Sequence, residues 1–134
     1  MARIDWNDTF SVNNDTIDKQ HQTLVQLYND LHESLLHGSI ENATATRVDT
    51  LNKLADYIDY HFNSEEELLK EVNFPDFDKH CQTHRVFSKQ VNSFQQDIQS
   101  GEMVFTSSLI KLLRNWITDH ILTMDKAYAN YLSK

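Results

Sequence analysis

His61 and Glu65 stand four residues apart in the chain, and so do His80 and His84. On an α-helix that spacing leaves two side chains roughly 40° apart around the axis, near enough to grip one ion. Neutral imidazole combined with carboxylate is a ligand set for iron, manganese, cobalt, nickel or zinc. Cys81 is the only cysteine, so a thiolate cluster or an internal disulfide cannot form within one chain. His21 and His120 bring the imidazoles to five, and Asp125 lies five residues beyond His120. That last spacing is awkward. Five residues rotate the helix by roughly 140°, so Asp125 must reach sideways into the core or sit where the helix is distorted. Periodicity alone does not select it.

The elements that position these residues must be helices. Only two Gly and one Pro occur among 134 residues, too few turn formers for a many-stranded β fold. The length and 40% hydrophobic content suit one domain, 1–134, with an irregular arm over 1–15 and a helical bundle over 16–134. Asp15 and Gly38 bound a first helix from Thr16 to His37, with His37 a cation at its end. A second runs from Glu41 to Val72 and stops at Asn73-Phe74-Pro75. A third opens at Pro75 and ends near Ser100-Gly101; a fourth starts at Thr106 or Ser107 and continues almost to Lys134.

Each segment carries an apolar stripe in steps of three and four residues, the period of helices packed in a left-handed bundle. The first stripe is Ile17, His21, Leu24, Tyr28, Leu31, Leu35, and the second Leu51, Leu54, Ile58, His61, Glu65, Leu68. The third is His80, His84, Phe87, Val91, Phe94, Ile98, and the fourth Leu109, Leu113, Trp116, His120, Met124, Ala127, Tyr131. Every stripe contains histidine. One inward histidine is ordinarily a hydrogen-bonded core residue, but four stripes sharing the feature point elsewhere. Glu65 is harder still to place without a cation, because the stripes hold no Lys or Arg and a buried, unpaired carboxylate costs several kcal/mol. The expected class is all-α, a four-helix bundle with metal in its core.

A formal charge of -8 and a pI near 5.2 argue against nucleic acid or an anionic membrane as partner. No apolar run approaches the ~20 residues that cross a bilayer, and Met1-Ala-Arg-Ile-Asp-Trp6 has no signal-like apolar region. A cytoplasmic protein is expected.

Three motifs resemble the hemerythrin signature: His61-Phe62-Asn63-Ser64-Glu65-Glu66, His80-Cys81-Gln82-Thr83-His84, and Trp116-Ile117-Thr118-Asp119-His120-Ile121 followed by Asp125. Trp6, Phe10-Ser11-Val12 and Ile17-Asp18-Lys19-Gln20-His21 resemble the family's arm and first ligand, so the likeness covers essentially the whole chain and matches the bacterial members in order and spacing. Asn13 and Phe74 depart from the usual glycine and tyrosine; neither is a ligand position. The resemblance implies an up-down-up-down antiparallel bundle. It implies two iron ions per chain with a bridging oxo or hydroxo group, His80, His84 and His120 on one ion, His21 and His61 on the other, and Glu65 and Asp125 bridging. One position then stays open, on the iron with two histidines, where the family binds O2 and holds it as hydroperoxide. Leu24, Phe62, Trp116 and Ile121 occupy positions that wall the family's oxygen site, and otherwise read as ordinary core packing. Thr123, one turn after His120, is expected to put a hydroxyl near that wall.

The function so implied is reversible O2 binding by a carrier, store or delivery protein. Bundle di-iron enzymes use Glu-x-x-His motifs, and this chain has none, which favours binding over oxygen activation and leaves weak oxidase or peroxidase chemistry as an alternative. A stand-alone oxygen or redox sensor is the other. A protein recipient of oxygen or signal is not identifiable from sequence. His32, about 16 Å along the helix from His21, and Cys81, turned about 100° from its ligand neighbour, are left out of the site. Glu66 and Glu67 are expected to be solvated.

Overall fold

A computed structural model describes residues 3–37, 40–100 and 107–132. After a 3-10 turn at Asp8–Phe10 come α1 (Asp15–His37), α2 (Ile40–Glu71), α3 (Phe77–Gln99), α4 (Ser107–Asp119), a π-helical segment (His120–Asp125) and α5 (Lys126–Leu132). The last three form one continuous fourth helix of the bundle. Among the described residues there is no strand, and no helix is long and apolar enough to cross a membrane. The fold is an all-α four-helix bundle. Expected helix ends at Gly38 and Gly101, a fourth-helix start at Thr106, and the side chains of Leu35 and His37 lie outside the described residues.

Local chemistry explains the helix ends. The cap of α1 is Asn14, whose Oδ1 accepts the Ile17 N–H at 2.9 Å; the expected cap, Asp15, instead sits in the first turn, where its charge favours the helix dipole. Asn13 has φ of 63°, a left-handed conformation that glycine and asparagine tolerate best. Asn73, at φ of 56°, closes α2. Its N–H donates to Lys70 O at 3.2 Å and the Phe74 N–H to Leu69 O at 3.0 Å, the two bonds of a Schellman motif with asparagine in glycine's place. Pro75 follows in a turn, and α3 begins at Phe77 rather than at Pro75.

The arm is tied to the bundle by side-chain bonds. Asn29 clamps Ile4, accepting its N–H at 2.9 Å and donating to its carbonyl at 2.8 Å. Asp18 accepts the Ser11 hydroxyl at 2.6 Å and the Val12 N–H at 2.9 Å. Lys126 Nζ donates to Ser11 O at 2.9 Å.

The core is two apolar clusters with a polar layer between them. One contains Leu24, Tyr28, Leu54, Ile58, Phe62, Phe87, Leu113, Ile117 and Ile121; the other contains Val12, Ile17, Leu69, Phe74 and Tyr128. The first helix passes from Ile17 through His21 to Leu24, and the second from Ile58 through His61 and Glu65 to Leu69. The third and fourth repeat this alternation, from Phe77 to Phe87 and from Ile117 to Tyr128. Successive helices therefore run in opposite directions.

The first three stripes face inward as expected over most of their length, although Leu68, Phe94 and Ile98 are only half-buried. The fourth departs after His120. Met124 is half-buried and Ala127 and Tyr131 are exposed, whereas Asp125 and Tyr128 are fully buried. The π segment accounts for this, since its wider turn inserts one residue and advances the inward register by one position.

Candidate metal centre

Seven side chains from all four helices of the bundle meet in the polar layer. His21, His61, Glu65, His80, His84, His120 and Asp125 are all buried, none more than 5% exposed. They form two overlapping groups: Glu65, His80, His84, His120 and Asp125 in one, His21, His61, Glu65 and Asp125 in the other. Within each group one ligating atom per residue lies within 4.8 Å of all the others.

Each carboxylate divides its oxygens between the groups. Glu65 Oε1 is 2.7 Å from His80 Nε2 and 3.1 Å from His84 Nε2, while Oε2 is 3.2 Å from His61 Nε2 and 3.5 Å from His21 Nε2. Asp125 Oδ1 lies 3.1 Å from both His80 Nε2 and His120 Nε2, and Oδ2 lies 3.1 Å from His21 Nε2. The π segment turns Asp125 onto the same face as His120, so of the two routes its spacing left open the distorted helix is the one present.

Three contacts orient the ligating atoms, and sequence reasoning missed all three. His61 Nδ1 donates to Gln20 Oε1 at 2.7 Å, and the Gln20 amide is fixed in turn by donating to Ser64 Oγ at 3.0 Å. His84 Nδ1 donates to Glu66 Oε2 at 2.9 Å. Tyr128 OH donates to Glu65 Oε2 at 2.8 Å. Gln20 and Glu66 are sequence neighbours of ligand positions, a weak signal; Tyr128 carries no signal until the register shift is known. Glu66 is therefore not the solvated residue expected, being half-buried and engaged with a histidine, whereas Glu67 is exposed.

The electrostatics call for a cation. With Nδ1 of His61 and His84 occupied as donors, their Nε2 atoms carry lone pairs, and these are aimed at carboxylate oxygens and at His120 Nε2. Burial lowers the pKa of His61. Both oxygens of Asp125 and both ring nitrogens of His21 are buried without a hydrogen-bond partner among the described residues. Burial also opposes charge on His21 and His80, but the carboxylates of Asp125 and Glu65 outweigh it and pull each to about 9. Burial would raise the Glu65 carboxyl, yet the imidazoles around it, His61 first, hold it well below its usual range. Metal ions fit this donor set. They would satisfy every orphaned atom facing the centre without requiring protons.

Aromatic rings cover one side of the layer. Phe62 stacks on His84 with centroids 3.7 Å apart, and Trp116 stacks on His120 at 4.2 Å and on Phe87 at 3.8 Å. Leu24, Phe62 and Ile121 are buried; Trp116 is half-buried and borders a surface cavity of about 580 Å³. Thr123 is exposed and lines that same cavity with Trp116, its hydroxyl donating to the Asp119 carbonyl at 2.6 Å. His32 stacks on Tyr28, outside the cluster. Cys81 is buried but not among the grouped ligands, and burial pushes its thiol up to about 12.

Residues 12–132 match the family model described as the hemerythrin HHE cation binding domain. A bacteriohemerythrin of Stenotrophomonas maltophilia is 33% identical over 97% of this chain and 82% of its own length. A bacteriohemerythrin of Methylococcus capsulatus is 28% identical over 99% of each. The crystal structure of wild-type hemerythrin superposes with a TM-score of 0.90 at 27% identity, covering 98% of both chains.

Proposed function

This chain belongs to the hemerythrin family, and from that premise we propose that it binds O2 reversibly at a pair of iron ions in the polar layer. His80, His84 and His120 would hold one ion and His21 and His61 the other, with Glu65 and Asp125 shared. The observation that carries the reading is the division of each carboxylate between the two histidine groups, the arrangement a bridging ligand needs. Iron bound in pairs supplies the two electrons that let O2 be taken up and given back.

The chain's own residues do the rest. Gln20 and Glu66 fix the ring orientation of His61 and His84, and Tyr128 holds Glu65 by its outer lone pair. Leu24, Phe62, Trp116 and Ile121 exclude water around the centre, which keeps protons away from it. Five neutral imidazoles against two carboxylates supply little anionic charge to stabilise high-valent iron, so a carrier or store is favoured over an oxidase or peroxidase.

The test is a visible spectrum of iron-loaded protein in air, under argon and after dithionite. A band that forms with O2 and vanishes on its removal supports the reading; a spectrum indifferent to O2 contradicts it.

A further inference from the structure

The two hydrogen bonds that orient His61 and His84 look alike but differ in charge. His61 gives its Nδ1 proton to a neutral amide, that of Gln20, itself 6% exposed. His84 gives its proton to a carboxylate, that of Glu66, whose side chain is 25% exposed and borders a surface cavity of about 550 Å³. The remaining Nδ1 atoms, on His21, His80 and His120, have no hydrogen-bond partner among the described residues. Glu65 and Asp125 are shared by both histidine groups, so they do not distinguish them.

We propose that Glu66 is a positioning residue that tunes redox behaviour, making the iron on His80, His84 and His120 the harder of the two to reduce. The proposal rests on the di-iron reading above. A carboxylate accepting from Nδ1–H draws the proton toward itself and makes the imidazole a stronger donor through Nε2. Its negative charge also favours the ion with the greater positive charge, the ferric one. The Gln20 amide orients His61 with the same geometry but brings no charge. The structure thus separates the two functions of an orienting contact, holding the ring and biasing the metal, and assigns the second to one side only.

The experiment is a reductive titration of the iron-loaded full chain, resolving two one-electron steps by visible absorption and by electron paramagnetic resonance of the half-reduced form. Glu66→Gln keeps an acceptor oxygen and removes the charge. The harder step should then shift upward by about 59 mV for one electron, a tenfold fall in the ferric-to-ferrous ratio at a fixed potential, while the easier step moves less and the gap narrows. Gln20→Glu places a carboxylate behind His61 and should lower the easier step, narrowing the gap from the other end. A merely structural Glu66 would leave Glu66→Gln indistinguishable from wild type. Unmoved steps, or equal movement of both, in a variant that still carries two irons overturn the inference and leave the O2 reading intact. A wild-type chain that holds no iron pair overturns both.

Discussion

His84 and His120 approach from different helices until their Nε2 atoms stand 3.1 Å apart, and the Nδ1 proton of His84 is already given to Glu66. A single proton can satisfy that contact in only one direction. A cation satisfies both lone pairs at once, together with the Asp125 oxygen 3.1 Å from His120. Removing one of the two imidazoles should therefore empty one position and spare the other. In His120→Ala, iron measured by mass spectrometry should fall from two ions per chain to about one, with helicity retained by circular dichroism. Two ions retained would place His120 outside the ligand set.

Tyr128→Phe tests the outer support of Glu65. The substitution deletes one buried donor to a charged acceptor, a bond of roughly 1.5–3 kcal/mol, and conserves the ring packed against Phe74 and His80. Melting should fall by a few degrees, and iron affinity by about tenfold or more in competition with a chelator. An unchanged affinity would mean that the metal alone fixes Glu65.

Removing the metal should make stability strongly dependent on pH. In the iron-free protein, protonated His21 and His80 stand in for the cations, each with its pKa raised from 6.5 to about 9. A raised histidine pKa contributes stability that is full below the unfolded value and is lost as pH climbs through the folded one. Thermal melts of apo protein should thus decline from about pH 6.5 to about pH 9, and those of the iron-loaded protein should not. Parallel apo and iron-loaded curves would show that the carboxylates are not charge-compensated in this way.

The stripes of the first three helices, the five inward histidines and Glu65 were legible from residue spacing because one uniform helical period relates them. Asp125 was not, since its position depends on a π turn that adds a residue between it and His120; spacing left a sideways reach and a distorted helix equally open. The same shift misplaced Met124, Ala127 and Tyr131 in the core and hid Tyr128. Gln20 and Glu66 escaped notice for another reason. Their roles arise between helices, 41 and 18 residues from their partners, where no local period reports. Asn14 and Asp15 are both good caps, and only the geometry of the bond to Ile17 separates them.

Trp116 lies between His120 and Phe87 with one edge toward a surface cavity. Replacing it by alanine should cost about 3 kcal/mol, the lower end for a large ring because it is half-buried, and should open a path for water to His120. Leu24→Ala removes apolar bulk from the buried core one turn beyond His21. The oxygenated absorption band should decay faster in both variants than in wild type, at equal iron content. Decay at the wild-type rate in both would assign these residues to packing alone.

The most direct measurement of the central claim is O2 uptake by reduced, iron-loaded protein, read together with iron content over repeated cycles of O2 and argon. One O2 per two irons, bound in each cycle and released in the next, is the expected result. Uptake that converts the iron irreversibly to the ferric state in the first cycle, with no O2 recovered, would contradict reversible binding.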